Sequence, residues 1–216
     1  MTIVGQEGVE LSPGGRFDQA RLLVRTEGVR FVSLHLPRGA HVREGWRSSL
    51  TMEKCTSTGN PIAVAAGASL VMEDCRVFAA TCGNLGGVGV YCEGTLEATR
   101  CIFEDHSSDG VHVVRGEAKL MECTVQNNGR HGLSVTHHGA KAFLEGGTIS
   151  GNKQHGVLTG RAKVIVAAAE HCEQTVSSGN GEHSWATQYG GKIAGLAEGI
   201  QAHGIQAHFA DALTFA

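Results

Sequence analysis

Asp109, His131 and His155 stand at matched places in three successive stretches of the chain. Each directly precedes a glycine, Gly110, Gly132 or Gly156, and each glycine opens a short apolar run: Val111-His112-Val113, Leu133-Ser134-Val135 and Val157-Leu158-Thr159. If the stretches stack, one carboxylate and two imidazoles share an edge at about 5 Å intervals. Such a donor set suits a divalent cation, and a row of polar turn residues is the plainer account of it. A second group is acidic. Glu73, Glu97 and Glu122, with Glu53 and Glu145, read as a loose outward stripe, a source of solubility and a binding face. Glycoside hydrolysis needs two carboxylates at a set separation, and Glu73-Asp74 and Glu104-Asp105 are the only adjacent acidic pairs. No Ser–His–Asp arrangement, phosphate-binding loop or nucleotide fingerprint is legible. The reading therefore assigns no catalytic residue, no metal and no cofactor, and keeps Asp109, His131, His155, Glu73, Glu97 and Glu122 as binding candidates.

The third group is sulfur. Of seven cysteines, five recur at one place in a repeat, and no CxxC pair gives the usual zinc spacing. A recurring inward thiol behaves as a small buried hydrophobe. Cys82 and Cys92 fall off this column and are expected to be free thiols.

The repeat that must position these groups aligns on seven anchors: Leu34, Cys55, Cys75, Cys101, Cys123, Gly147 and Cys172. The steps between them are 21, 20, 26, 22, 24 and 25 residues. That drift excludes a coiled coil and fits a solenoid with variable loops. The residues five and three before each anchor are apolar, from Val29/Phe31 through Leu50/Met52, Leu70/Met72, Leu96/Ala98 and Ala118/Leu120 to Ala142/Leu144. Polar residues alternate with them, so each unit carries a strand with one buried face. The glycines opening the next strand are expected to supply positive φ. Asn127, Asn128 and Asn152 read as a short asparagine ladder at a turn. Seven stacked anchors make a rod on the order of 35 Å long.

Alternating apolar residues ending in Cys, then Asn and Gly, with G-[VL]-x-[VT] following, resemble the right-handed parallel β-helix repeat. The resemblance covers roughly residues 28–180. It implies an all-β, single-stranded right-handed parallel β-helix of about seven to nine coils. Residues 1–28 are expected to form an N-terminal coil or cap, 29–180 the repeats, and 181–216 a C-terminal cap or tail. In that tail the near-duplicate Gly199–His203 and Gly204–His208 could be strand. The repeat occurs in pectate-lyase-like proteins, in carbohydrate-binding and sugar-hydrolase modules, in copper-centre maturation proteins and in F-box and SHC-binding adaptors. The opening, with Ile3-Val4-Gly5 and Val29–Leu34, looks like the adaptor-type members. Lyases of this fold use a calcium-binding Asp cluster with a basic proton acceptor, and no such cluster stands out.

Composition narrows the partners. The 216 residues are 41% hydrophobic with 31 Gly, 3 Pro and a formal charge of −3. Basic residues are dispersed, so nucleic-acid binding is not expected. No run of 18 apolar residues predicts a membrane span, and no basic-then-apolar leader is visible. Without such a leader, reduced thiols and an intracellular, cytoplasmic or nuclear, location are expected. The expectation for function is a non-enzymatic interaction or scaffold module that offers a β-helix face to a protein partner or larger assembly. The alternative is a carbohydrate-active β-helix: a polysaccharide lyase, a hydrolase or a sugar binder.

Overall fold

A computed structural model describes residues 2–4, 22–43, 48–81, 85–167, 175–198 and 200–205. These residues form a parallel β-solenoid of three walls, and every strand pair is parallel. The first wall stacks nine strands: Thr2–Val4, Val29–Val32, Ser49–Glu53, Ser69–Glu73, Thr95–Thr99, Glu117–Met121, Lys141–Glu145, Lys163–Ala167 and Lys192–Ala194. The second holds seven, from His35–Leu36 to Val176–Ser178. The third holds nine, from Leu22–Val24 to His203–Ile205. The middle wall thus rises about six turns from its first strand to its last. This is slightly fewer than the seven to nine coils expected. No helix occurs among the described residues, so none is long and apolar enough to cross a membrane.

The alternation explains the first wall. Val29, Leu50, Leu70, Leu96, Ala118, Ala142 and Val164 lie one above another in register. Phe31, Met52, Met72, Ala98, Leu120, Leu144 and Val166 form a second inward row two residues on, and both rows are buried. One coil cannot shield either row alone, and stacking does so continuously. Val77, Phe103, Val125 and Ile149 make the matching buried row of the second wall.

Sharp bends between the walls give each coil its section. Between the first and second walls the residue before each anchor takes positive φ: Ser33 (55°), Lys54 (52°), Asp74 (52°), Arg100 (51°), Glu122 (53°) and Gly146 (66°). The ladder continues through this bend, since Lys54 N–H donates to Glu73 O at 2.9 Å and Arg100 N–H to Met121 O at 2.9 Å. The left-handed backbone is thus held by hydrogen bonds at Ser33, Lys54, Asp74, Arg100 and Glu122, which offsets its conformational cost. Leu34, Cys55, Cys75, Cys101 and Cys123 fill the inside of the bend and are buried, whereas Gly147 is half-buried.

Three expectations need correction. The last repeat aligns differently, because its first-wall strand is Lys163–Ala167, with Val164 and Val166 buried. Val176 N–H bonds Gly147 O, so Thr175 holds the anchor place on that layer. Cys172 lies outside the described residues, as does Cys82. The glycines Gly110, Gly132 and Gly156 do not have positive φ. They are needed for space: a Cβ on Gly110 would lie 2.6 Å from Val125 Cγ1 and 2.8 Å from Gly132 O. Asn127 is not in the asparagine ladder. It supplies the left-handed residue (φ 56°) of the second bend, and Asn180 takes a place in the ladder instead.

Candidate functional site

The second bend, between the second and third walls, gathers the polar groups. Three coils present the same spacing, Asn128/His131, Asn152/His155 and Asn180/His183, and the coil above presents His106/Asp109. The asparagines bond along the stack. Asn128 Nδ2 donates to Asn152 Oδ1 at 2.8 Å, and Asn152 Nδ2 to Asn180 Oδ1 at 2.9 Å. Each Oδ1 also accepts a backbone N–H from the layer above, from His106 to Asn128 (3.2 Å) and from Asn128 to Asn152 (3.1 Å). His106 extends this column, its Nδ1 accepting the Ala80 N–H at 3.1 Å. Burial pushes its pKa down to about 4.

Three residues further along, Asp109, His131 and His155 are stacked as the repeat predicts, and all three are buried. Asp109 Oδ1 accepts the His131 N–H at 3.1 Å, and His131 Nδ1 accepts the His155 N–H at 3.3 Å. The rings of His131 and His155 lie 5.0 Å apart and 4° from parallel. The stack continues to His183 at 5.4 Å and on to His203 at 3.8 Å. Burial, then the neighbouring His155 and Arg130, push the His131 pKa down to about 3. With Nδ1 accepting, the neutral ring carries its proton on Nε2. Parallel rings aim their nitrogens along parallel lines rather than at one point. Among the described residues no group of three His, Cys, Asp or Glu side chains is arranged to hold a metal ion.

One neighbouring group was not anticipated. On the outer face of the third wall, His112 Nε2 lies 3.1 Å from Thr136 Oγ1, and its Nδ1 lies 3.6 Å from Asp109 Oδ2. Tyr91 meets the His112 ring edge-on at 5.7 Å and donates its hydroxyl to Glu93 Oε1 at 3.3 Å. Burial raises the pKa of Asp109 and lowers that of His112, so both favour their neutral forms. Hydroxyl, imidazole and carboxylate stand in the order acyl-transfer sites use. The strand that carries Thr136 joins the ladder at its first amide, with Leu133 N–H on Gly156 O at 2.9 Å. The group orients an imidazole against a buried acid.

The molecule now has three parallel walls, a buried thiol bend and a stacked polar bend. A family model described as a right-handed β-helix region matches residues 6–149 and, overlapping them, 86–179. The chain belongs to the right-handed β-helix family. No curated protein and no solved structure matches it. Two overlapping matches suit a β-helix whose coils resemble one another.

On this β-helix the three candidate glutamates do not form a stripe. They stand two, four and one residues before their anchors (Glu73 before Cys75, Glu97 before Cys101, Glu122 before Cys123). Glu73 therefore lies opposite Glu53 and Thr99, Glu97 lies opposite Val71 and Lys119, and Glu122 sits at the left-handed bend. Glu73 is held by Arg100, which also grips Asp74 at 2.7 Å. The five described cysteines, Cys55, Cys75, Cys92, Cys101 and Cys123, are free and buried. The Cys75, Cys92 and Cys101 thiols are pushed up to about 12. For Cys75 and Cys101 the leading cause is a hydrogen bond with the next thiol of the bend, and for Cys92 it is burial. Thiols so far from ionising are inert at neutral pH.

The repeated Asn-x-x-His spacing was the signal that could have found Asn180 and His183. His112 and Thr136 are 24 residues apart and meet only because their strands pair.

Proposed function

We propose that this β-helix is a non-enzymatic interaction or scaffold module that presents a wall to a macromolecular partner. The observation that carries the reading is the first wall. Its nine strands keep register from Thr2 to Ala194, so outward side chains recur in straight rows at about 4.8 Å per coil. A rigid ruler of this kind suits recognition of a long partner surface. The buried thiol column serves packing, and free thiols fit a reducing, intracellular compartment.

The test is capture on the immobilised chain from its native source, followed by binary binding with each purified candidate. A partner that binds one-to-one or in a fixed assembly supports the reading. Loss of every candidate at the binary step overturns it. One observation favours the second reading, a carbohydrate-active β-helix: an aromatic ring, Tyr91, lies beside the Asp109–His112–Thr136 group. Turnover or binding of polyuronates, abolished by His112→Ala, would support that reading.

A further inference from the structure

The outer face of the first wall changes character along its length. The row that begins each strand reads Ser49, Ser69, Thr95 and Glu117, and then Lys141, Lys163 and Lys192. The three lysines are exposed, pair in direct register and have no ion pair among the described residues. Like charges placed directly opposite one another destabilise a sheet, so this row is a standing cost in the free chain. Arg161 is exposed at the bend two residues before Lys163, with its guanidinium 5.3 Å from the Tyr189 ring. The carboxylates nearest in register are Glu117, one coil above Lys141, and Glu145, which lies 3.8 Å from Lys119.

An apolar row runs beside the lysines. Phe143, Ile165 and Ala194 pair across the same three strands on the outward face, where Phe143 and Ile165 are half-buried and Ala194 is exposed. Three cations therefore flank an aromatic–aliphatic ridge on one flat surface.

We propose that these last three coils dock an acidic amphipathic α-helix of a partner protein, laid along the axis of the β-helix. The proposal rests on the interaction reading above and names its surface and its ligand. The spacing carries it. Two coil steps place Lys141 and Lys192 about 9.6 Å apart along the axis. On an α-helix, positions i and i+7 are separated by a rise of about 10.5 Å, with i+3 or i+4 between them on the same face. Carboxylates at those three positions meet the three lysines in turn, and the adjacent apolar stripe of the helix covers Phe143 and Ile165. An extended peptide matches less well, because its same-face residues recur at about 6.6–6.8 Å rather than at the coil step. A free polyanion would use the lysines and leave the apolar ridge uncovered.

The test uses the full chain and a fluorescent synthetic peptide of about five helical turns. It carries Glu at i, i+4 and i+7 on one stripe and Leu on the next. Comparison probes are a scrambled peptide of equal composition, polygalacturonate, and vesicles of mixed phosphatidylserine and phosphatidylcholine. The expected result is saturable binding of the patterned peptide, weakened about tenfold or more by Lys141→Glu/Lys163→Glu and separately by Phe143→Ser. Circular dichroism would show each variant folded, and a Lys163→Gln variant keeps the test open if the double change unfolds the chain. Equal or tighter binding of the scrambled peptide, polygalacturonate or vesicles overturns the proposal. So does absence of patterned-peptide binding. If a validated partner then binds unaffected by Lys163→Glu, this surface is wrong while the scaffold reading stands. If no partner survives binary binding, both fall.

Discussion

Two of the left-handed bends at which each coil turns, those before and after the second wall, are filled by opposite chemistries. The first is lined by Cys55, Cys75, Cys101 and Cys123, thiols that touch their own strand ends, as Cys101 Sγ does on Thr99 O at 3.3 Å. The second is filled by His106, Asn128, Asn152 and Asn180, which bond from layer to layer and also take up backbone amides. Both columns are largely buried and both repeat at the same interval. The difference lies in what a change would leave behind. A thiol bend holds by packing, so it yields by the size of the hole made. A polar bend holds by complementary pairs, so removing one member strands buried groups.

Acid should separate the two bends most widely. His106 and His131 are held neutral, with pKa values near 4 and 3 against an ordinary 6.5. The groups facing His131 are Asp109, Arg130, His112 and His155, and those facing His106 include Glu104. The unfolded chain binds protons that the folded chain refuses. This stability is complete above pH 6.5 and drains as pH falls from about 6.5 toward 4, by on the order of 2–3 kcal/mol for each ring. Urea unfolding midpoints measured between pH 7 and 4 would show the decline. His131→Asn, which keeps an acceptor for the His155 amide, should flatten it. An unchanged profile would mean that these rings meet water in the folded chain. The thiol bend, with Cys75 and Cys101 near 12, contributes nothing over this range.

Next in size is Asn152→Ala. It removes the acceptor of both the Asn128 amide N–H and Asn128 Nδ2, and the donor to Val125 O. Two stranded donors in a buried column should cost about 3–4 kcal/mol by urea unfolding. Cys101→Ala, a comparably buried change in the other bend, should cost only about 1–2 kcal/mol, because the loss is one sulfur's packing and a weak hydrogen bond. Equal costs for the two changes would dissolve the distinction between the bends.

The sequence made these columns unequally visible. The inward rows were legible because Leu50/Met52, Leu70/Met72 and Leu96/Ala98 keep a constant offset from a conspicuous anchor, and parallel pairing preserves that offset. His131 over His155 was legible for the same reason, with Gly132 and Gly156 as rulers. Glu122 was misplaced because a left-handed residue at the bend breaks the two-residue period, so alternation no longer tells which way its side chain leaves. The role of Gly110 was misread because sequence shows that a side chain is unwelcome there but not why. Positive φ and a close-packed neighbour leave the same residue. His112 with Thr136 and the lysine row were hidden in different ways. The first is a contact between strands. The second becomes unusual only when Lys141, Lys163 and Lys192 are known to pair directly.

The smallest effect expected tests the outer rim of the thiol bend. Lys54, Asp74, Arg100 and Glu122 alternate in sign there from coil to coil, and all four hold positive φ near 52°. Glycine adopts that backbone without steric cost, though it gives the unfolded chain more freedom to lose. Lys54→Gly should therefore change stability by no more than about 0.5 kcal/mol, because the two terms oppose each other. Lys54→Val keeps a side chain and adds a branched Cβ, which the left-handed region accommodates poorly, and should cost about 1–2 kcal/mol. Thermal unfolding of the pair measures the difference directly. If Val is tolerated as well as Gly, the bend can relax out of its left-handed turn. The amide ladder through Lys54 N–H and Glu73 O would then not be what fixes the first corner of the coil.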